Sequence, residues 1–137
     1  MNTRLLFLFG IVAIGGCATP TPVDLGSDGS QLEARQIQTR QYDTLDKALT
    51  MRSVVATLQD LGFTIDQADT ELGTITATRY DEHTMRMTVT VVQRGDERVS
   101  VRANARIGET AVTDALTYQD FFVALDKAMF LTLQRVD

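Results

Sequence analysis

The chain has 137 residues, 44% of them hydrophobic and 23% charged, with a formal net charge of −5 at neutral pH. That length suits one domain, and the acidic balance argues against non-specific binding to phosphate backbones, so no nucleic-acid partner is expected. Cys17 is the one cysteine, which excludes an intramolecular disulfide and leaves stability to a packed core.

The first 17 residues read MNTRLLFLFGIVAIGGC. One cation, Arg4, precedes an apolar run of ten residues, 5–14. As a helix that run covers about 15 Å, half of a hydrocarbon core of ~30 Å, so it is too short to span. A charged start, a short apolar middle and a small-residue end describe a secretory signal over residues 1–16. An ordinary signal with a chance cysteine is one reading of it. The end itself, Ile14-Gly15-Gly16-Cys17, resembles the lipobox of bacterial lipoproteins. That resemblance implies diacylglycerol on the Cys17 thiol, cleavage between Gly16 and Cys17, and acylation of the new amine. The mature chain would keep 12 basic and 18 acidic side chains, because only Arg4 is charged before Cys17. Ala18 replaces the aspartate that resembles an inner-membrane retention signal, which implies the periplasmic face of the outer membrane.

Residues 18–35 hold both prolines and two of the nine glycines, with no sustained apolar period. A flexible tether is expected, with an r.m.s. reach of roughly 20–25 Å. The organisation is then a signal peptide at 1–16, a lipidated tether at 17–35 and a periplasmic domain at 36–137.

Within that domain, 36–43 reads as a short strand at a sheet edge. The spacing of Ala48, Met51, Val55 and Leu58, flanked by Leu45, Val54 and Leu61, predicts a helix over 44–61. Asp43 or Thr44 would cap it, with Asp46 in the first turn and Gly62 as a left-handed terminator against which Phe63 packs back. Strands are predicted at 63–68, 74–80, 85–94 and 98–107, where apolar and polar residues alternate. A last helix is expected over 118–134, capped by Thr117 with Asp120 at its third position. Tyr118, Phe121, Phe122, Leu125, Met129 and Leu133 form its apolar side. The order β-α-β-β-β-β-α gives an α+β fold, a single mostly antiparallel sheet with two helices on one face. This order looks like the helix-grip domains of several envelope lipoproteins. The segments LQDLGFTID at 58–66 and YQDFFVALDKAMFL at 118–131 resemble small Gram-negative lipoproteins of unassigned role. The likeness implies a location and brings no activity.

No catalytic or metal-binding constellation emerges. Asp81, Glu82 and His83 are consecutive, and neighbours on a strand point to opposite faces, so they read as a polar turn. Asp66, Asp69 and Glu71 lack the glycine and spacing of a calcium loop. Cys17 is consumed by lipid, and nothing brings His83 to Ser53 or Ser100. The chain is therefore expected to be no enzyme and to carry no cofactor or metal.

Arg94-Gly95-Asp96 falls where a hairpin needs its turn. Keeping both apolar faces inward sets Val91 opposite Val101, Val89 opposite Ala103, Met87 opposite Ala105 and Met85 opposite Ile107, with a loop of three residues, 95–97. On the outer face the same register sets Arg86 opposite Arg106 and Arg94 opposite Arg98, with Arg102 between them. Five of the twelve cations after Cys17 would line one hairpin of an acidic protein. This strip is the candidate docking face for an envelope protein partner or lipid phosphates, against the alternative of a solvated face neutralised from elsewhere. An apolar ligand held between sheet and last helix by Phe121, Phe122, Met85, Met87 and Met129 is the alternative function, that of a carrier or sensor.

Overall fold

The structure, a computed structural model, describes residues 25–133. The leader, Cys17, the first part of the tether and residues 134–137 lie outside the described residues, as do the side chains of residues 25–28 and of Leu133. The elements are α1 (Leu25–Ile37), β1 (Thr39–Tyr42), α2 (Lys47–Asp60), β2 (Thr64–Asp69), β3 (Thr74–Tyr80), β4 (Thr84–Arg94), β5 (Arg98–Ile107), β6 (Thr110–Ala111) and α3 (Ala115–Leu133). One antiparallel sheet runs in the order β1-β5-β4-β3-β2, with β6 also paired to β5. The α+β class and the single antiparallel sheet are as expected; among the described residues the helices number three rather than two.

The additional helix is α1, in a stretch expected to be coil to residue 35. Its second half, Gln31-Leu32-Glu33-Ala34-Arg35-Gln36, consists of good helix formers, and Ile37 at its end packs against the core. Local propensity plus one docked side chain outweighs the two glycines upstream.

β1 and β2 lie at opposite edges, so their connection must cross the whole sheet, and α2 makes that crossing on the apolar face. Its N-cap is Asp46, neither Asp43 nor Thr44, and the Asp46 carboxylate accepts from Leu49 N at 2.8 Å. At the other end Gly62, at φ +85°, closes a Schellman motif. Gly62 N donates to Gln59 O at 3.0 Å and Phe63 N to Leu58 O at 2.9 Å, which turns the Phe63 side chain into the core. The last helix starts earlier than its apolar pattern. Asp114, not Thr117, accepts from Leu116 N and Thr117 N at 3.3 and 3.2 Å.

The core forms between the inner faces of β3, β4 and β5 and the inward sides of α2 and α3. Ile75, Ala77, Met87, Val89, Val91, Val99, Val101, Ala103 and Ala105 supply the sheet side. Tyr118, Phe121, Phe122, Leu125 and Met129 supply α3, and Met51, Val54 and Leu58 supply α2. With α2 and α3 committed to one face, the opposite face of the sheet is left to the outer side chains of the strands, with Arg35 of α1 reaching its border.

Candidate functional site

The five arginines owe their common side to the period of two along β4 and β5. The pairing Met87↔Ala105, Val89↔Ala103 and Val91↔Val101 buries these side chains on the inner face, while Met85↔Ile107 ends it with Ile107 partly exposed and Val92↔Ser100 falls on the outer face. It leaves Arg86 opposite Arg106 and Arg94 opposite Arg98, while Arg102 faces Thr90. Gly95, at φ +63°, opens the three-residue loop that permits this register. All five arginines are exposed. At about 3.4 Å per residue, Arg98, Arg102 and Arg106 recur roughly every 13 Å along β5, so the face is a strip rather than a single cluster.

Its two ends are partly neutralised. Arg98 Nε donates to Asp43 Oδ1 at 3.0 Å, and an Arg106 nitrogen reaches Glu109 Oε2 at 3.3 Å and the Glu109 carbonyl at 2.7 Å. Among the described residues no carboxylate pairs with Arg86, Arg94 or Arg102. A groove of about 350 Å³ lies along the middle of the strip, where Arg94 and Arg102 meet Arg35 from α1, with Thr39, Thr90 and Asn104 on the same walls. Among the described residues no acidic side chain lines it. A second groove of about 330 Å³ at the far end holds Arg86 and Arg106 but also Glu109. Arg35 is not expected at the strip from the sequence, because its segment has good helix formers but no sustained apolar period and reads as tether. Three guanidinium groups with hydroxyl and amide donors between them are built to accept oxyanions, and carboxylates or phosphates fit them best.

The other candidate positions are accounted for locally. Asp66 accepts from Thr78 Oγ1 at 2.5 Å, and Asp69 Oδ1 accepts from Leu72 N at 2.9 Å. Arg79 Nε lies 2.6 Å from Asp81 Oδ2, close enough for an ion pair but not aligned for a hydrogen bond. His83 is exposed in its turn, Ser53 is buried on α2, and Ser100 lies on the outer face of β5. Among the described residues no three potential ligands gather around a point that would hold a metal ion.

The aromatic and methionine residues considered for an apolar pocket are instead packed. Met85, Met87, Phe121, Phe122 and Met129 are all buried, and the rings of Phe121 and Phe122 meet edge to face at 5.0 Å. Met87 borders a cleft of only about 130 Å³. Phe122 borders a groove of about 360 Å³ beside β1, whose other walls are mostly polar, with Gln36, Thr39, Arg40 and Gln119.

On the helical side, Asp126 of α3 holds the edge strand. It accepts from Arg40 at 2.5 Å and from the Tyr42 hydroxyl at 2.8 Å, while the Arg40 guanidinium stacks 4.9 Å from the Phe122 ring centre. Burial raises the Tyr42 hydroxyl well above the ordinary phenol value, and its bond to Asp126 raises it further.

The chain matches no family model and no curated protein. No described helix is long and apolar enough to cross a membrane.

Proposed function

We propose that the chain is a lipid-anchored envelope protein that catalyses no reaction and works as an accessory interaction module. Cys17 carries the lipid, the outer membrane is the site of attachment, and the domain faces the periplasm. Docking runs through the arginine and threonine face of the sheet, and the partner is an acidic surface of another envelope protein. One observation carries this reading. A protein of net charge −5 gathers Arg35, Arg94 and Arg102 around one groove and gives none of them a carboxylate among the described residues. Charge complementarity at such a face sets the rate and selectivity of encounter, and salt screens it.

Crosslinking in intact envelopes, followed by mass spectrometry, tests it with the wild type and the double variant R94E/R102E. The wild type should capture an acidic partner whose yield falls with salt. The variant should lose at least tenfold in capture, about 1.4 kcal/mol, while its melting temperature stays put, since both side chains are exposed. Undiminished capture by a folded R94E/R102E variant would remove the docking face.

A further inference from the structure

A half-buried helix is expected to be polar on its outward side. α3 is not. Tyr118, Phe121, Phe122, Leu125 and Met129 face the core, yet Leu116, Val123, Phe130 and Leu131 on the other side are 63%, 59%, 60% and 48% exposed. Leu116, Val123 and Phe130 recur every seven residues, two turns apart, so they form one line about 21 Å long. Scattered surface leucines are ordinary, whereas a contiguous apolar line marks an interaction surface.

Two charges on the stripe identify what covers it. Asp120 and Lys127 are both exposed, and neither has an ion-pair partner among the described residues. They lie three and a half residues to either side of the Val123–Ala124 midpoint. A two-fold axis through that midpoint, with helices antiparallel, sets Asp120 of each copy beside Lys127 of the other. The same axis sets Leu116 against Leu131 and brings Val123 against the small Ala124 at the centre. A parallel pairing would instead oppose Asp120 to Asp120 and Lys127 to Lys127, which is unfavourable. Self-complementarity about a two-fold axis is the signature of an isologous interface. We infer that this stripe of α3 pairs two copies of the chain as an antiparallel helix dimer.

The dimer is of modest strength. Four apolar side chains per copy, each only about half to two-thirds exposed, bury less than the smallest stable interfaces, about 1,000–1,200 Å², so pairing is weak and depends on concentration. It uses the helical side of the domain and leaves the arginine face open on the other side of the sheet. The two proposals therefore fail separately: R94E/R102E leaves pairing intact.

Disulfide trapping of the full chain in intact envelopes reads the geometry directly. V123C, close to the axis, should give a covalent dimer, and so should an L116C copy expressed together with an L131C copy. L116C alone should not, because the two positions would lie about 22 Å apart. Single reversals D120K or K127D, placed in V123C, should each lower the dimer yield severalfold, and D120K/K127D together should restore it. The restoration is what a folding defect would not produce. Absence of any V123C dimer overturns the inference, and so does trapping of L116C alone as efficiently as V123C. Flotation of the V123C chain with neutral lipid vesicles, lost in F130S, in place of dimerisation would assign the stripe to a lipid surface and overturn it equally.

Discussion

The Tyr118 hydroxyl shows how much one atom can settle. β1 covers the edge of β5 at Val99–Arg102 and β6 covers it again at Arg106 and Ile107, which leaves an interval between the two short strands. The buried Tyr118 oxygen fills part of that interval. It accepts from Ala105 N at 3.1 Å and Gln38 Nε2 at 3.2 Å, and donates to Val112 O at 2.7 Å. Tyr118→Phe keeps the ring and strands the buried Ala105 N–H, at a cost of about 1–3 kcal/mol. The midpoint of chemical unfolding should fall accordingly, without a change of slope. A midpoint equal to that of the wild type would show that water replaces the hydroxyl. Tyr42 makes a prediction of the opposite kind, visible only in alkali. Its ordinary value is 10.0 and the fold raises it, so the folded protein holds this proton more tightly than the unfolded chain. That contribution is fully present below about pH 10 and is lost as pH rises beyond it. Between pH 9 and 12 the wild type should lose stability more steeply than Tyr42→Phe, measured by urea midpoints at each pH. Equal slopes would mean that neither burial nor the bond to Asp126 raises the Tyr42 hydroxyl in the folded protein.

At the scale of elements, the hairpin of β4 and β5 was legible residue by residue, because period-two alternation and a three-residue loop leave one register that buries both apolar faces. The phase of α2 was less so. Ala48 and Leu45 were expected inward and are exposed, while Thr50, Ser53 and Thr57 are buried. Thr50 Oγ1 and Thr57 Oγ1 donate to the carbonyls of Asp46 and Ser53 at 2.9 and 2.8 Å, so the two threonines satisfy themselves within the helix, whereas the buried Ser53 Oγ has no hydrogen-bond partner among the described residues. Hydropathy counts them as polar and so sets the face slightly off, although Met51, Val54 and Leu58 are buried as expected. For the candidate site, Arg86, Arg94, Arg98, Arg102 and Arg106 followed from alternation. The pairing of Arg98 with Asp43 and of Arg106 with Glu109 did not, since it depends on how connections fold back. Gly73 falls in the gap between the strands expected at 63–68 and 74–80, in the turn before β3. Its φ is +72°, its carbonyl accepts from Val91 N at 2.7 Å, and a Cβ there would lie 2.2 Å from the Val91 carbonyl oxygen. Gly73→Ala must move backbone, and the strain together with the left-handed conformation should cost roughly 3 kcal/mol. Thermal unfolding should shift down by more than 10 °C, at about 4–8 °C per kcal/mol. A shift of a degree or two would mean that the turn relaxes freely.

For the whole molecule, the fold separates two unlike surfaces. The sheet turns its cationic face to one side, and the two crossing helices present the apolar line of α3 on the other, so docking and pairing need not compete. The proposed lipid at Cys17 gives both a common setting. Confinement to a membrane raises the local concentration of copies, which is what a small concentration-dependent interface requires. One acyl chain binds marginally and two anchor stably, so the three chains implied by lipobox processing would make release negligible. Among the described residues the core and the side chains packed against it lie between Ile37 and Met129, hence loss of the lipid should leave the domain folded. In Cys17→Ala the acyl label should disappear, residues 1–16 should be retained, and the chain should vanish from the outer-membrane fraction. Intact mass, palmitate labelling and membrane fractionation report the three effects, and circular dichroism of the recovered protein should be unchanged. Persistence of the acyl label, or a wild-type mature N-terminus other than residue 17, would show that the thiol is not the attachment point. The confinement on which weak pairing relies would then need another source.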